Sequence, residues 1–125
     1  MIVGVGIDMI EVKRVEEKIS KEGGFRELIF SVSEISFCES KTALKFEHYA
    51  ARFAAKEAFL KATGFGLTRS FNLKEIEIMN DVNGKPTIIL TGNFKALANQ
   101  YQWNTLHVSL THLKEVASAV VIIEQ

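Results

Sequence analysis

Glu57 stands where a charge is costly. Projecting the segment from Phe46 onward at about 100° per residue puts Phe46, Ala50, Phe53 and Leu60 within roughly 40° of one line, and Glu57 falls between them. A carboxylate centred on an apolar stripe must be paired, protonated or bound to a cation, because desolvating it alone costs several kcal/mol. Asp8 poses the same problem, interrupting the apolar run VGVGIDMI where a buried strand should be ending. Alone, Asp8 is explained as well by a structural role, as a cap for the following helix or a carboxylate hydrogen-bonded to backbone amides, as by a chemical one. Taken with Glu57 the balance changes, since two carboxylates in apolar surroundings repel unless a cation sits between them. A divalent ion satisfies both.

Basic residues surround this pair in the sequence. Lys61 lies one turn beyond Glu57 and fits an ordinary i,i+4 ion pair, which contributes only a few tenths of a kcal/mol. Lys45, Arg52 and Lys56 share a narrow stripe on the same helix, while Ala51, Ala55, Ala58 and Ala62 form a third, small-residue face. Such a stripe is either a solvated edge or an anion-binding one. His112 follows Ser109 and Thr111 at a strand end, where short hydroxyls and an imidazole meet a ligand or simply satisfy one another. Arg14, Lys18 and Lys21 recur at i, i+4, i+7 on the first helix; with Glu16 and Glu17 nearby this is a solvated face or a surface for an acidic partner helix.

Several familiar patterns fail on spacing. Gly4 and Gly6 begin a dinucleotide fingerprint, but Met9 occupies the third glycine position and no complete strand precedes it. His107 and His112 are five apart on a strand and face opposite sides, which disfavours a paired-imidazole metal site. No G-x-S-x-G surrounds Ser109, so a hydrolase triad has little support.

These groups need a scaffold, and 125 residues suit one domain spanning 1–125. Fifteen basic residues balance fifteen acidic ones, so an anionic ligand must be recognised by local clustering; this argues against a dedicated nucleic-acid binder. Cys38 is the only cysteine, which excludes an internal disulfide and a multi-cysteine zinc site and suits the cytosol. The N-terminal MIVGVGIDMI is brief, lacks a preceding basic region and runs into charged residues, so it reads as a buried strand and not as a signal peptide or membrane span.

The pattern predicts a strand over Val3–Ile10 and a helix from Glu11 to about Lys21 that buries Val12, Val15 and Ile19 and ends before Gly23-Gly24. A short helix near Ser33–Phe37 precedes the long helix from Phe46 to about Thr63, stopped by Gly64 and Gly66. A hairpin turns at Asn83-Gly84, where both residues tolerate positive φ, and Pro86 opens an edge strand. A helix from Asn93 to about Gln100, capped by Asn93 or Thr91, and two strands, TLHVSLTH and EVASAVVIIE, complete the chain. This order predicts an α+β domain with a mainly antiparallel sheet packed against a long central helix.

Gly6-Ile7-Asp8, the run Arg52-Phe53-Ala54-Ala55-Lys56-Glu57-Ala58 with Lys61-Ala62, the turn Asn83-Gly84-Lys85-Pro86, and Ser109-Leu110-Thr111-His112 occur in order along nearly the whole chain. Together they resemble the holo-[acyl-carrier-protein] synthases, the short bacterial class of 4'-phosphopantetheinyl transferase. The resemblance implies transfer of phosphopantetheine from coenzyme A to a serine of apo acyl carrier protein, releasing adenosine 3',5'-bisphosphate in support of fatty acid biosynthesis. It implies Mg²⁺ held by Asp8 and Glu57 against the coenzyme A diphosphate, with Lys61 neutralising charge on the phosphoryl oxygens. The serine proton would pass to Glu57 or to a metal-bound water.

By the same resemblance Arg52, Ser109 and His112 belong to the coenzyme A site, Lys45 is a candidate for its 3'-phosphate, and Gly84, Lys85 and Pro86 cover the adenine or ribose. Arg14, Lys18 and Lys21 would receive the acidic carrier protein. Members of the family form homotrimers with active sites between protomers. The chain departs from the family's pattern at Phe65, between Gly64 and Gly66, and at Leu113 after His112. Two other classes compete with the enzyme: a coenzyme-A-binding module without turnover, and a structural trimer in which Lys61 alone neutralises Glu57.

Overall fold

The computed structural model describes residues 1–65 and 71–125. The elements follow in the order β1 (Ile2–Glu11), α1 (Val12–Ser20), α2 (Phe25–Ile29), α3 (Val32–Glu39), α4 (Lys45–Thr63), β2 (Ile76–Asn80), β3 (Pro86–Leu90), α5 (Gly92–Tyr101), β4 (Thr105–His112) and β5 (Val116–Glu124). Three strands form an antiparallel sheet of order β1-β5-β4, and β2 pairs with β3 as a separate antiparallel hairpin. The α+β class expected from the sequence is the observed one. No helix among the described residues is long and apolar enough to cross a membrane.

The long helix α4 lies across the inner face of the three-stranded sheet and joins two clusters of buried side chains. One gathers Phe59, Ile76, Ile78, Phe94, Val121 and Ile123; the other gathers Val15, Phe30, Tyr49, Phe53 and Ala117. Strand alternation turns Gly4, Gly6, Asp8 and Ile10 of β1 toward α4 and leaves Val3, Val5, Ile7 and Met9 outside. A Cβ at Gly4 or Gly6 would collide with the carbonyl oxygens of Ala62 and Ala58. The two glycines and the alanine face therefore serve one purpose: they let the β1 backbone rest on the helix, and so carry Asp8 to its flank.

Local chemistry explains the boundaries. Gly64 ends α4 in the left-handed region, while Gly66, the second expected stop, lies outside the described residues. The short third helix starts at Val32, earlier than the pattern suggests, because Ser31 and Glu34 form a reciprocal capping box. Helix α2 carries no signal in the sequence reading; Gly24, at φ 74°, starts it. The hairpin also departs from a two-residue Asn-Gly turn. Its loop runs over residues 81–85, where only Gly84 takes positive φ, and Asp81 Oδ1 accepts from the amides of Asn83 at 2.8 Å and Lys85 at 2.9 Å. At α5 neither expected cap is used: Thr91 makes no side-chain cap bond, and Glu75 accepts from the amides of Asn93 and Phe94 instead.

Candidate active site

Asp8 and Glu57 meet where β1 crosses α4. Glu57 is half-buried and has no hydrogen-bond or ion-pair partner among the described residues. Its carboxyl is held above the usual range, first by burial and next by the charge of Asp8, while Lys61 and Lys18 pull the other way. The two acidic side chains are thus close enough to feel each other. Asp8 does not cap α1, whose N-cap is Glu11. Its backbone carbonyl accepts from Ser118 Oγ on β5 at 3.0 Å, which ties this point of β1 to the neighbouring strand.

Lys61 is not the helical partner of Glu57 that the i,i+4 spacing suggests. Its ammonium reaches across to Asp8 Oδ1 at 2.9 Å and the Ile7 carbonyl at 3.0 Å. The lysine side chain is 57% exposed and that of Asp8 17%, so the pair contributes no more than about 1 kcal/mol to stability. Its geometric effect is to leave Glu57 as the carboxylate without a bonded cation. No group of three or more metal-ligating side chains occurs among the described residues. A two-carboxylate site fits Mg²⁺, which takes one or two protein carboxylates and completes its shell with substrate phosphate oxygens and water.

Farther toward the N-terminus of α4, a cavity of about 170 Å³ is lined by Phe37, His48, Arg52, Gly84, Pro86 and His112, among others. Four of these, Arg52, Gly84, Pro86 and His112, are residues that the family resemblance places around the nucleotide. Arg52 is 2% exposed, its Cζ lies 4.0 Å from the centroid of the Phe37 ring, and its Nε is buried without a hydrogen-bond partner. Burial lowers its pKa, so the site holds its cation at an energetic disadvantage. His112 Nδ1 donates to Glu47 Oε1 at 2.8 Å, an acceptor 65 positions away that orients the ring.

The basic stripe on α4 divides. Lys56 is fully buried and donates to Glu34 Oε1 at 2.8 Å and to the carbonyls of Leu73 and Ile76 at 2.9 and 2.8 Å, so it is neither a solvated edge nor an anion site. Lys45 turns to Glu39, 3.4 Å away, and does not line the cavity. Lys85 is exposed in the hairpin loop next to Gly84. Ser109 lies on the outer face of β4 with His107 and Thr111, opposite the inner face that carries Leu110 and His112; within one chain it is not brought to the cavity. Phe65 packs against Tyr101 and Trp103.

On α1, Arg14 is exposed, while Lys21 lies just past the helix end in extended conformation. Lys18 leans inward, its Nζ 5.4 Å from the Phe25 ring centroid and 5.7 Å from that of Phe53, on the side from which it lowers the pKa of Glu57. The sequence reading missed His48 and Glu47. The signal was available for His48, one turn before Arg52 and hence on the same helix face.

A fold in which two carboxylates meet where β1 crosses the long helix, with a cavity around a buried arginine nearer that helix's start, matches a known class. The family model of the 4'-phosphopantetheinyl transferase superfamily matches residues 4–121, and the chain belongs to that family, as an enzyme of the transferase class. Among its relatives, a holo-[acyl-carrier-protein] synthase of Cytophaga hutchinsonii is 48% identical over 124 residues, covering 98% of this chain and 97% of the relative. The crystal structure of the Neisseria meningitidis holo-[acyl-carrier-protein] synthase superposes with a TM-score of 0.89 at 28% identity over the full length of both chains. A Bacillus anthracis holo-(acyl-carrier-protein) synthase in complex with CoA (3',5'-ADP) superposes with a TM-score of 0.80 at 36% identity, covering 98% of this chain and 96% of that one.

Proposed function

We propose that the chain, acting as a single domain, transfers 4'-phosphopantetheine from coenzyme A to a serine of an apo acyl carrier protein, requires Mg²⁺, and releases adenosine 3',5'-bisphosphate. The observation that carries this reading is the half-buried Glu57 carboxylate, without a bonded partner and facing Asp8. Oxygens of Asp8 and Glu57 would hold the ion, which when bound supplies positive charge at the diphosphate. Lys61, already bonded to Asp8, is placed to bring its ammonium to the phosphoryl oxygens as charge builds there. The serine proton would go to Glu57 or to a water held by the ion.

The cavity around Arg52 and His112 would take the nucleotide end of coenzyme A, with Gly84 and Pro86 against the adenine or ribose and Lys85 beside them. Arg52 and Glu57 are about 7.5 Å apart along α4 but about 140° apart around it, so a ligand that touched both would pass around the helix or join the Arg52 cavity of one protomer to the Glu57 of another. Arg14, Lys18 and Lys21 would dock the acidic carrier protein, Lys18 from a position close to the reacting centre. The outer face of β1, with Ile7 65% and Met9 70% exposed, supports assembly into a homotrimer that would bring Ser109 of one protomer toward a neighbour's site. Cytosolic action in fatty acid biosynthesis completes the proposal.

The test mixes the protein with coenzyme A, Mg²⁺ and an apo carrier protein, then weighs the carrier by mass spectrometry. Addition of the phosphopantetheine mass that stops when Mg²⁺ is chelated supports the enzyme. Coenzyme A binding without a mass change would point to a binding module, and neither binding nor mass change to a structural assembly.

A further inference from the structure

His48 occupies a wall of the Arg52 cavity that no other part of the mechanism uses. Its ring meets Phe37 of α3 edge-on at 5.5 Å and His112 of β4 at 5.0 Å between centroids. Among the described residues neither ring nitrogen of His48 has a hydrogen-bond partner, and the same is true of the buried Arg52 Nε. The His48 ring and the Arg52 guanidinium, from consecutive turns of α4, therefore border the cavity with the oriented ring of His112. A ligand that satisfies them needs several acceptor oxygens on one centre and negative charge, as a phosphate monoester has.

The charges facing His48 are Arg52 and Glu47 on α4, Lys41 in the turn after α3, and His112 on β4. Burial first, then His112, Arg52 and Lys41, push the His48 pKa down to about 4, and Glu47 opposes them weakly. With these neighbours His48 is neutral at pH 7. A dianion entering the same space reverses most of this, because it offsets the neighbouring cations and favours a charged ring.

Resting on the nucleotide reading of this cavity, we propose that His48 determines specificity for the terminal phosphate monoester of the donor, taking up one proton from solvent as that phosphate enters and donating to it as an imidazolium beside Arg52. Phosphate recognition is then coupled to proton uptake. A nucleotide with the extra phosphate is favoured over one without it most strongly on the acid side of neutrality.

The test uses the full chain with its histidine rings isotopically labelled and follows them by NMR from pH 4 to 8, free and with saturating adenosine 3',5'-bisphosphate or adenosine 5'-monophosphate. The chain has three histidines, and His48→Phe identifies the resonance. The expected result is a His48 midpoint that rises by about three units with the bisphosphate and stays low with the monophosphate. In parallel, His48→Phe should weaken bisphosphate binding about tenfold at pH 6, far less at pH 8, and leave monophosphate binding nearly unchanged. Bisphosphate binding with an unmoved midpoint, or an equal shift with both nucleotides, overturns the proposal while leaving the nucleotide reading of the cavity intact. Failure of the bisphosphate to bind the unmodified chain overturns both.

Discussion

Two buried cations stand one turn apart on α4, and their surroundings differ in kind. Lys56 has a carboxylate and two carbonyls bonded to it, and its partner Glu34 in turn accepts from the Ser31 amide and, through Oε2, from the Ile78 amide. Arg52 is almost as deeply buried, yet the Phe37 ring lies beside it, Glu34 acts on it only through its charge, and its Nε has no hydrogen-bond partner among the described residues. The first region is closed: every donor has an acceptor within the chain, and it joins α3, α4 and β2 into one body. The second is open, and so is the Glu57 carboxylate farther along the helix. Buried polar groups that the fold leaves unsatisfied are costly, and a site that keeps them is one whose partner arrives from outside.

The comparison breaks most sharply at the carboxylates. Asp8→Ala and Glu57→Ala should each lower carrier modification by about a thousandfold or more, while circular dichroism and thermal unfolding stay near those of the unmodified chain. A variant that transfers at the normal rate would remove the open region from the chemistry. Next comes the closed region, where Lys56→Ala strands Glu34 in the core and should cost about 3–5 kcal/mol in urea unfolding. A loss below about 1 kcal/mol would show that Glu34 finds another partner and that the region is less closed than its bonds indicate.

Arg52→Met sharpens the contrast between the two cations. Stability should be unchanged or slightly raised, since an unsatisfied buried charge is removed, while KM for coenzyme A rises about 10- to 100-fold. Unfolding at the Lys56 scale would instead make Arg52 structural. Arg14→Glu reaches neither region and should weaken carrier-protein affinity about tenfold with coenzyme A binding unchanged; equal loss of both would defeat a docking role for α1.

The smallest effect is in pH dependence. His48 has a folded pKa of about 4, below the ordinary 6.5, so between those values the unfolded chain binds a proton that the native one refuses. Stability is therefore full above pH 6.5 and declines as pH falls toward 4, by on the order of 1 kcal/mol after allowing for the partial exposure of the ring. Thermal melts of His48→Phe should show a shallower decline over that window, and superimposable profiles would mean that the ring titrates normally.

Helical and strand periodicity are local properties, and they were legible. The apolar stripe of α4, the alternation of β1 and the two C-terminal strands follow from spacings of two and 3.6 residues, which need no knowledge of what lies opposite. For the same reason Glu57 and Asp8 stood out, since each breaks a pattern that its neighbours set. Turn details were less accessible: the Asn83-Gly84 loop is organised by the Asp81 carboxylate, and α5 is capped by Glu75 from another element.

What spacing could not supply is the choice among equivalent partners. Lys45, Arg52 and Lys56 are alike on a helical projection, yet one pairs with Glu39, one keeps a buried nitrogen without a hydrogen-bond partner among the described residues, and one is sealed against Glu34. Lys61 passes over Glu57, four residues away, for Asp8, 53 residues away, and His112 is oriented by Glu47. Sequence by itself determined which side chains could not be left alone in an apolar setting, because desolvation is a property of the group and its face. Only the tertiary structure decided which of them found a partner inside the chain, because that depends on distances set by the packing of β1 on α4 and of α3 against both helix and hairpin.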